Sequence, residues 1–266
     1  MYFVEQIKHP YIRISHKTLH MIILSRLGEY TQLMLSVFQK PEKKSIYRRQ
    51  ILKEIDSLGM DSIGIVAIIS IFMGAVVTIQ MAFNVDSPLV PLYTIGFATR
   101  KSVILEFSPT IVSLILAGKV GSRIASEIGT MRVTEQIDAL EIMGINSASF
   151  LILPKIIASV LINPFLIIMS MFLAMFGGWA SGVLTGLVSS NEFIYGLQFM
   201  VRSFDVVYAL IKTIVFAFLI SSVSGYYGYY TKGGALEVGT SSTKAVVYSS
   251  IMVILFNLIL TQMLLA

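Results

Sequence analysis

The sequence has no cysteine, few charged residues and only three histidines, and each shortage excludes a class of protein. Without cysteine, neither a disulfide framework nor a thiolate metal site can form. All three histidines lie in the first 20 residues, so no Ser–His–acid or Cys–His pairing is evident and no metal site is predicted. Charged residues make up 13% of the 266-residue chain, about half the share in a soluble domain. With 55% hydrophobic residues and a mean hydropathy of +0.79, the composition indicates an integral membrane protein.

Apolar stretches predict an all-α membrane protein that crosses the bilayer five times. The first stretch has 22 residues without a charge, which is enough to cross a hydrocarbon core of about 30 Å. An amphipathic segment at 13–39 predicts a helix that lies in the membrane interface. No cleavable signal peptide is predicted, because basic residues and histidines interrupt the first 20 positions. The predicted spans are 62–83, 102–117, 156–178, 206–224 and 245–265.

The distribution of lysine and arginine predicts the orientation of these spans. With the N-terminus taken as cytoplasmic, 16 of the 20 basic residues fall on the same side of the membrane. The positive-inside rule therefore places the N-terminus, the segment 118–144 and the last loop in the cytoplasm, and the C-terminus outside. The net charge of +5 follows from this asymmetry and needs no nucleic-acid partner.

The most charged stretch between spans is Gly118–Gly144, with seven charges in 27 residues. Its apolar residues recur at helical spacing, with a break predicted near Gly129–Thr130. An acidic flank follows the break, formed by Glu135, Asp138 and Glu141. The pattern fits a water-exposed helix that docks on another protein, and it equally fits a solvated helix that packs on its own bundle.

Glu106 is the one acidic residue inside a predicted span. A carboxylate in the bilayer is costly and is usually partnered, so it is a candidate functional residue. Arg100 or Lys101, about one and a half helical turns away, could be that partner. A functional acid and a structural ion pair are both open interpretations. Lys212 lies near the end of the fourth span, where its side chain could extend to the interface.

Two further patterns concern packing and energy supply. Small residues repeat every fourth position at Ala174, Gly178, Gly182 and Gly186, which favours close contact between two membrane helices of the same or different chains. The segment Gly234–Ser241 has the glycine spacing of a phosphate-binding loop but carries Thr240 in place of the required lysine. We expect no ATP binding by that route, so uphill transport would need an ion gradient or a partner.

Leu116–Gly144, LAGKVGSRIASEIGTMRVTEQIDALEIMG, resembles the signature of the MlaE/YrbE permeases. These are membrane subunits of bacterial ABC systems that move phospholipids and related lipids between the inner and outer membranes. Glu106-Phe-Ser-Pro109 and the segment Gly239–Ser250 support the resemblance, which covers roughly residues 60–266. Many members have arginine immediately before the acid that matches Glu106, whereas this sequence has Leu105 there.

The resemblance implies a single permease domain over residues 1–266, with 118–144 as the segment that couples to a separate ATPase. It implies a homodimer with the lipid pocket between protomers, a periplasmic MCE-domain protein and, in some systems, a STAS-domain protein. ATP and Mg²⁺ would bind the ATPase, with no cofactor in this chain. The implied coupling residues are Arg123, Glu127, Gly129, Met131, Thr134, Glu135, Gln136, Asp138 and Glu141. The implied lipid pathway includes Ile79, Met81, Arg100, Lys101, Glu106 and Pro109.

We therefore predict the permease subunit of a lipid ABC transporter in a bacterial inner membrane, acting on phospholipid and supporting outer-membrane lipid asymmetry. Two alternatives follow from the residues alone. An ion-coupled secondary transporter or channel would use Glu106 as its ion site. A non-transporting membrane scaffold would need only the docking helix and the packing of Gly178, Gly182 and Gly186.

Overall fold

Helices account for nearly all residues that the computed structural model describes, which are 16–39, 44–85 and 90–265. The predicted interfacial helix at 13–39 begins outside these ranges. In the described part of the chain there are eight helices: α1 (His16–Val37), α2 (Lys44–Asn84), α3 (Tyr93–Val133), α4 (Gln136–Ile142), α5 (Ser147–Leu184), α6 (Ser190–Gln198), α7 (Ser203–Tyr229) and α8 (Ala235–Leu265).

Five of the helices in the described residues, α2, α3, α5, α7 and α8, are long and apolar enough to cross a membrane. The all-α membrane fold with five spans is therefore confirmed. Each helix extends beyond its apolar stretch, because polar residues at its ends continue the helix outside the hydrocarbon. The last loop shows this most clearly: the four tyrosines that follow the fourth predicted span belong to the end of α7 or come directly after it, and α8 begins at Ala235, ten residues before the predicted span.

Helix α1 packs against the bundle with one face and leaves a second apolar face exposed. Leu33, Met34 and Val37 are buried, and the hydroxyl of Tyr30 donates a hydrogen bond to Ser222 of α7 over 2.8 Å. Three large apolar side chains of α1 are exposed, Leu24, Leu27 and Leu35, and Phe38 just after the helix is partly exposed with its ring stacked on Phe218 of α7. The single apolar stripe predicted from spacing is thus divided between protein contacts and the exposed face.

Helix α3 contains two wide, π-helical turns, at Val103–Ile111 and Ala117–Gly121. The first turn includes Pro109, which has no N–H to donate to the carbonyl of Leu105 four residues earlier. A wider turn accommodates the proline ring without breaking the helix. The helix continues through the predicted break at Gly129–Thr130 and ends at Val133, where Glu135 adopts a left-handed conformation with φ of 59°. The break was therefore predicted about five residues too early.

The closest helix pair is α2 with α5, and glycines bring the two backbones together. A methyl group on Gly177 would overlap the carbonyl of Ile71, and one on Gly74 would overlap the carbonyl of Ala174. Gly178 and Gly182 lie against Thr78 of α2, so the small-residue repeat packs within the chain. Gly186 does not share this role. It lies beyond the end of α5 with φ of +71°, where glycine can terminate a helix, and a β-carbon there would meet nothing within 4 Å.

We expect Gly177→Ala to lower the apparent free energy of unfolding by about 1–3 kcal/mol, because α2 and α5 would have to separate. Gly64→Ala is the matched control on α2, since nothing lies within 4 Å of a β-carbon at that position. That control should leave stability unchanged or raise it by up to about 1 kcal/mol. Thermal unfolding in detergent measures both. Equal melting temperatures for the two variants would contradict the packing described.

Candidate functional site

A polar cluster lies in the membrane region between α3, α7 and α8. At its centre Lys212 Nζ donates to Glu106 Oε1 over 2.9 Å. The Lys212 side chain is fully buried, whereas that of Glu106 is 42% exposed in the single chain. The predicted extension of Lys212 to the interface is wrong, because this carboxylate holds its ammonium group inside the bundle.

The other hydrogen-bond partners of Lys212 are neutral oxygen atoms, and its Nζ also lies 4.8 Å from the centre of the Tyr208 ring. Its Nζ lies 3.0 Å from the hydroxyl of Tyr208, and 3.3 Å from both the Leu105 carbonyl and the Thr261 hydroxyl. A buried ammonium is tolerated where a counter-ion and further acceptors surround it, as they do here.

The second carboxylate oxygen of Glu106, Oε2, has hydrogen-bond partners on α8 and on α3 itself. Asn257 Nδ2 of α8 donates to Oε2 over 3.2 Å, and Thr110 Oγ1 lies 3.1 Å from the same atom. Sequence reasoning missed Tyr208, Lys212, Asn257 and Thr261 as members of this site. The available signal was polar spacing: both pairs, 208/212 and 257/261, stand four residues apart within apolar spans and therefore on one helix face.

The proposed partners of Glu106, Arg100 and Lys101, have other contacts. Arg100 donates to the carbonyls of Leu197 and Met200, and so satisfies the C-terminal end of α6. Lys101 forms an ion pair of 2.7 Å with Asp205. Both predictions of an ion pair with Glu106 are therefore wrong, because the start of α3 packs against α6 and α7 and turns these cations away.

Three other residues were predicted to line the lipid pathway, and none of them takes part in the hydrogen bonds of the polar cluster. Pro109 is buried in the first wide turn of α3. Met81 packs beside the small apolar cluster formed by Ile95, Val188 and Phe193. Ile79 is partly exposed on α2. Their contribution to a lipid pathway stays a prediction.

The segment predicted to couple to an ATPase forms the end of α3 and the whole of α4. Its apolar face is buried in the chain's own core through Val120, Ile124, Ile128 and Ile137. Thr134, Glu135, Gln136 and Glu141 are exposed, and Ile142 and Met143 beyond them are 87% and 64% exposed. The segment thus packs on the bundle and also presents a surface with acidic and apolar side chains; this surface, residues 134–143, is called the docking surface below.

Several predicted coupling residues make contacts within the chain. Arg123 pairs with Asp61 of α2 and also donates to the Ser57 carbonyl. Gly129 packs against Thr231 and Val238, which leaves no room for a larger side chain without movement. Met131 is partly buried against the core. These residues hold the end of α3 in place.

The acids of the docking surface are also oriented internally. Asp138 accepts from Arg132 over 2.7 Å. Glu141 accepts from the hydroxyls of Ser147 and Tyr229 over 2.9 and 3.0 Å. The Asp138 side chain is about half exposed and Glu141 is exposed, so these contacts fix each carboxylate while leaving a negatively charged face.

A cluster of one cation and two carboxylates joins this segment to the spans. Lys155 Nζ of α5 lies 2.8 Å from Glu127 of α3 and 2.7 Å from Glu54 of α2. The side chains of Lys155 and Glu54 are 3% and 18% exposed, so little water screens this pair, whereas Glu127 is 48% exposed. Helices α2, α3 and α5 are therefore tied together at the level where the docking surface begins.

We expect Lys155→Met to lower the apparent free energy of unfolding by about 3 kcal/mol, because two facing carboxylates lose their shared counter-ion. The double variant Lys155→Met/Glu54→Gln should recover part of that loss. Thermal unfolding of the purified chain is the measurement. A double variant no more stable than the single one would show that charge is not what holds these helices together.

Comparison with known proteins identifies the family. The family model described as "Permease MlaE" matches residues 51–263. The chain belongs to the MlaE permease family. It is 33% identical over 242 residues to a probable ABC transporter permease protein of Rickettsia bellii, which covers 89% of this chain and 91% of the relative. It is 35% identical over 221 residues to a probable ABC transporter permease protein of Synechocystis, covering 81% of this chain and 82% of the relative.

A third relative has the most specific name. The chain is 29% identical over 217 residues to the intermembrane phospholipid transport system permease protein MlaE of Haemophilus influenzae, covering 79% of this chain and 81% of that protein. The family resemblance seen in the sequence motif is thereby confirmed. In this MlaE-family permease, both the membrane polar cluster and the docking surface fall within the matched residues.

Proposed function

We propose that the chain is the membrane-spanning subunit of an ABC transporter that moves phospholipids between the inner and outer membranes. The observation that carries the proposal is the half-exposed carboxylate of Glu106 beside a fully buried Lys212. Charged groups at membrane depth face a bundle interior or a water-filled cavity rather than acyl chains. The open side of Glu106 therefore faces an enclosed space that the single chain does not complete.

A second copy of the chain would complete that space. Helix α8, which supplies Asn257 and Thr261 to the polar cluster, is mostly exposed along its apolar length. Exposed side chains on it include Ile251, Ile254, Leu255, Leu258 and Met263. In the proposed homodimer, apolar faces of α2, α3 and α8 line a cavity between protomers, and the polar cluster stands at its wall. Apolar walls with a few placed polar groups suit a lipid with long acyl chains.

The docking surface is proposed to bind a separate ATPase subunit. Its exposed acids could form ion pairs with a partner, and the exposed apolar side chains of Ile142 and Met143 could be buried in the contact. ATP and Mg²⁺ would bind that partner, whose closure would drive alternating exposure of the cavity.

Beyond this pair, the proposal includes a periplasmic MCE-domain protein and, in some assemblies, a STAS-domain protein. The assembly would lie in a bacterial inner membrane, with the N-terminus cytoplasmic and the C-terminus periplasmic, and would support outer-membrane lipid asymmetry.

Purification from the native membrane under mild conditions tests the whole proposal. We expect mass spectrometry to find two copies of the chain with an ATPase subunit, an MCE-domain protein and bound phospholipid. Reconstituted assemblies should move phospholipid between vesicle populations only when ATP is hydrolysed. A chain that purifies alone and without lipid would overturn the proposal.

The ion-coupled alternative makes an opposite prediction at Glu106. An ion site needs a carboxylate that can release its counter-ion, but here Lys212 and Asn257 occupy its oxygens. If the alternative were right, Glu106→Gln would abolish transport driven by an ion gradient in vesicles containing this chain alone. Transport that depends on ATP and on the partner ATPase, and not on the gradient, would exclude it.

A further inference from the structure

A cavity of about 370 Å³ lies on the side of the docking surface, at the ends of the membrane helices. It is an open pocket between α1, the end of α7 and the first turns of α8. This cavity is separate from the membrane polar cluster, and no role in the proposed transport cycle has been assigned to it. We call it the interfacial cavity.

Basic side chains dominate the lining of the interfacial cavity. Arg26 of α1, Lys232 of the α7–α8 loop and Lys244 of α8 face it together. Among the described residues that line the cavity, Glu29 is the one carboxylate, and the hydroxyl of Tyr226 donates to it over 2.9 Å. Three cations against one hydrogen-bonded carboxylate make this a site for an anion.

Tyrosine hydroxyls add neutral hydrogen-bond donors to these charges. Tyr230 lines the cavity, and burial, with a smaller effect from Glu29, raises the pKa of its hydroxyl above the usual value. The phenol therefore keeps its proton at neutral pH and can donate to an oxyanion. Cations combined with O–H donors are the groups that recognise phosphate.

The surroundings of the cavity favour a phosphate group carried on a lipid. Leu27, one position after Arg26 on α1, is 50% exposed, and Leu24, two positions before it and therefore on the other side of the helix, is 72% exposed. They extend the exposed apolar face of α1 away from the cavity mouth. The cavity also lies where α7 ends and α8 begins, which is the level of lipid headgroups for helices that span the bilayer. A free phosphate would use the cations but not the exposed apolar face of α1.

We propose that the interfacial cavity binds the phosphate headgroup of an anionic phospholipid, with Arg26, Lys232 and Lys244 as its counter-ions and the acyl chains beside α1. Bound lipid would contact α1, the end of α7 and the start of α8 together and so stabilise their packing. The proposal stands whether or not the chain transports lipid, because it concerns a separate site.

Binding of fluorescent phosphatidylglycerol to the detergent-purified full chain tests this site. Each cation near a lipid surface contributes about 1 kcal/mol, or about fivefold in affinity. We expect Arg26→Ala/Lys232→Ala/Lys244→Ala to weaken binding at least tenfold, with little change for phosphatidylcholine of the same acyl chains. The matched control is Arg48→Ala/Arg49→Ala/Lys53→Ala, which removes three exposed cations from α2 outside the cavity. It should change affinity less than twofold.

A second variant tests the site in the opposite direction and does not depend on the triple variant folding. Glu29→Gln removes the one lining carboxylate and still accepts the Tyr226 hydrogen bond, so phosphatidylglycerol should bind about fivefold more tightly. Equal losses in the cavity and control triples, or no gain with Glu29→Gln, would overturn the proposal. Displacement of the lipid by millimolar inorganic phosphate would also overturn it, since the site would then take a soluble anion.

Discussion

Replacing Glu106 with leucine is expected to lower the apparent free energy of unfolding by about 3–5 kcal/mol. The reason is the burial of its partner: the side chain of Lys212 is fully buried, so an ammonium group would be left without a counter-ion in the membrane region. The Tyr208 and Thr261 hydroxyls and the Leu105 carbonyl would remain as neutral acceptors, which solvate a charge less well than a carboxylate does.

The double variant Glu106→Leu/Lys212→Met separates charge from packing. With both charges removed, the cluster becomes apolar, and most of the lost stability should return. Thermal unfolding in detergent of the single variants, the double variant and the parent chain completes the cycle. If the double variant is as unstable as Glu106→Leu, the pair contributes through shape rather than charge. Transport should remain impaired in the double variant, since the polar group at the cavity wall would be lost.

Reversing charge on the docking surface should abolish productive coupling while the spans stay folded. We expect Glu135→Lys/Glu141→Lys to reduce transport coupled to the partner ATPase at least tenfold, which corresponds to about 1.4 kcal/mol of lost binding. Both positions are exposed, and neither lies in the membrane core. Asp138 is left unchanged because its reversal would place a lysine against Arg132, whereas reversal of Glu141 removes only its hydrogen bonds with the hydroxyls of Ser147 and Tyr229.

Asp56→Lys is the control for this charge reversal. Asp56 is an exposed carboxylate on α2, in the part of that helix before the predicted span and outside the docking surface. Co-purification of the ATPase and ATP-dependent lipid transport are the measurements, and the control should retain both. A docking variant that keeps full transport would show that the ATPase contacts another surface.

Much of the fold follows from composition along the chain. Apolar length and the scarcity of charge within it predict five spans, because a membrane helix must satisfy its own backbone and hide few polar groups. Helix ends were harder to predict. The fourth span was predicted to end at 224, yet α7 continues to Tyr229, because interfacial aromatic residues are compatible with a helix that continues past the hydrocarbon.

The candidate site was only partly predictable for a physical reason. Glu106 stood out because a carboxylate is costly inside a span, and that property is local. Its partner Lys212 is 106 positions away, and only the packing of α3 against α7 brings the two together. Arg100 and Lys101 are close enough in sequence to pair with Glu106. In the structure, however, Arg100 donates to backbone carbonyls and Lys101 pairs with Asp205. Spacing in the sequence does not show which of several possible partners an ionised side chain contacts in the folded protein.

The two wide turns of α3 affect the rotational phase between Glu106 and the end of the same helix, which leads into the docking surface. A regular α-helix rotates 100° per residue, whereas a π-helical turn takes in extra chain without advancing the helix by the same angle. Deleting one residue from the second wide turn would return it to an α-helical turn, so the end of α3 should keep nearly the same direction relative to Glu106. The same deletion in a regular stretch of the helix would rotate that end by about 100°. The wide turns thus let α3 hold extra residues without changing the direction that its end faces.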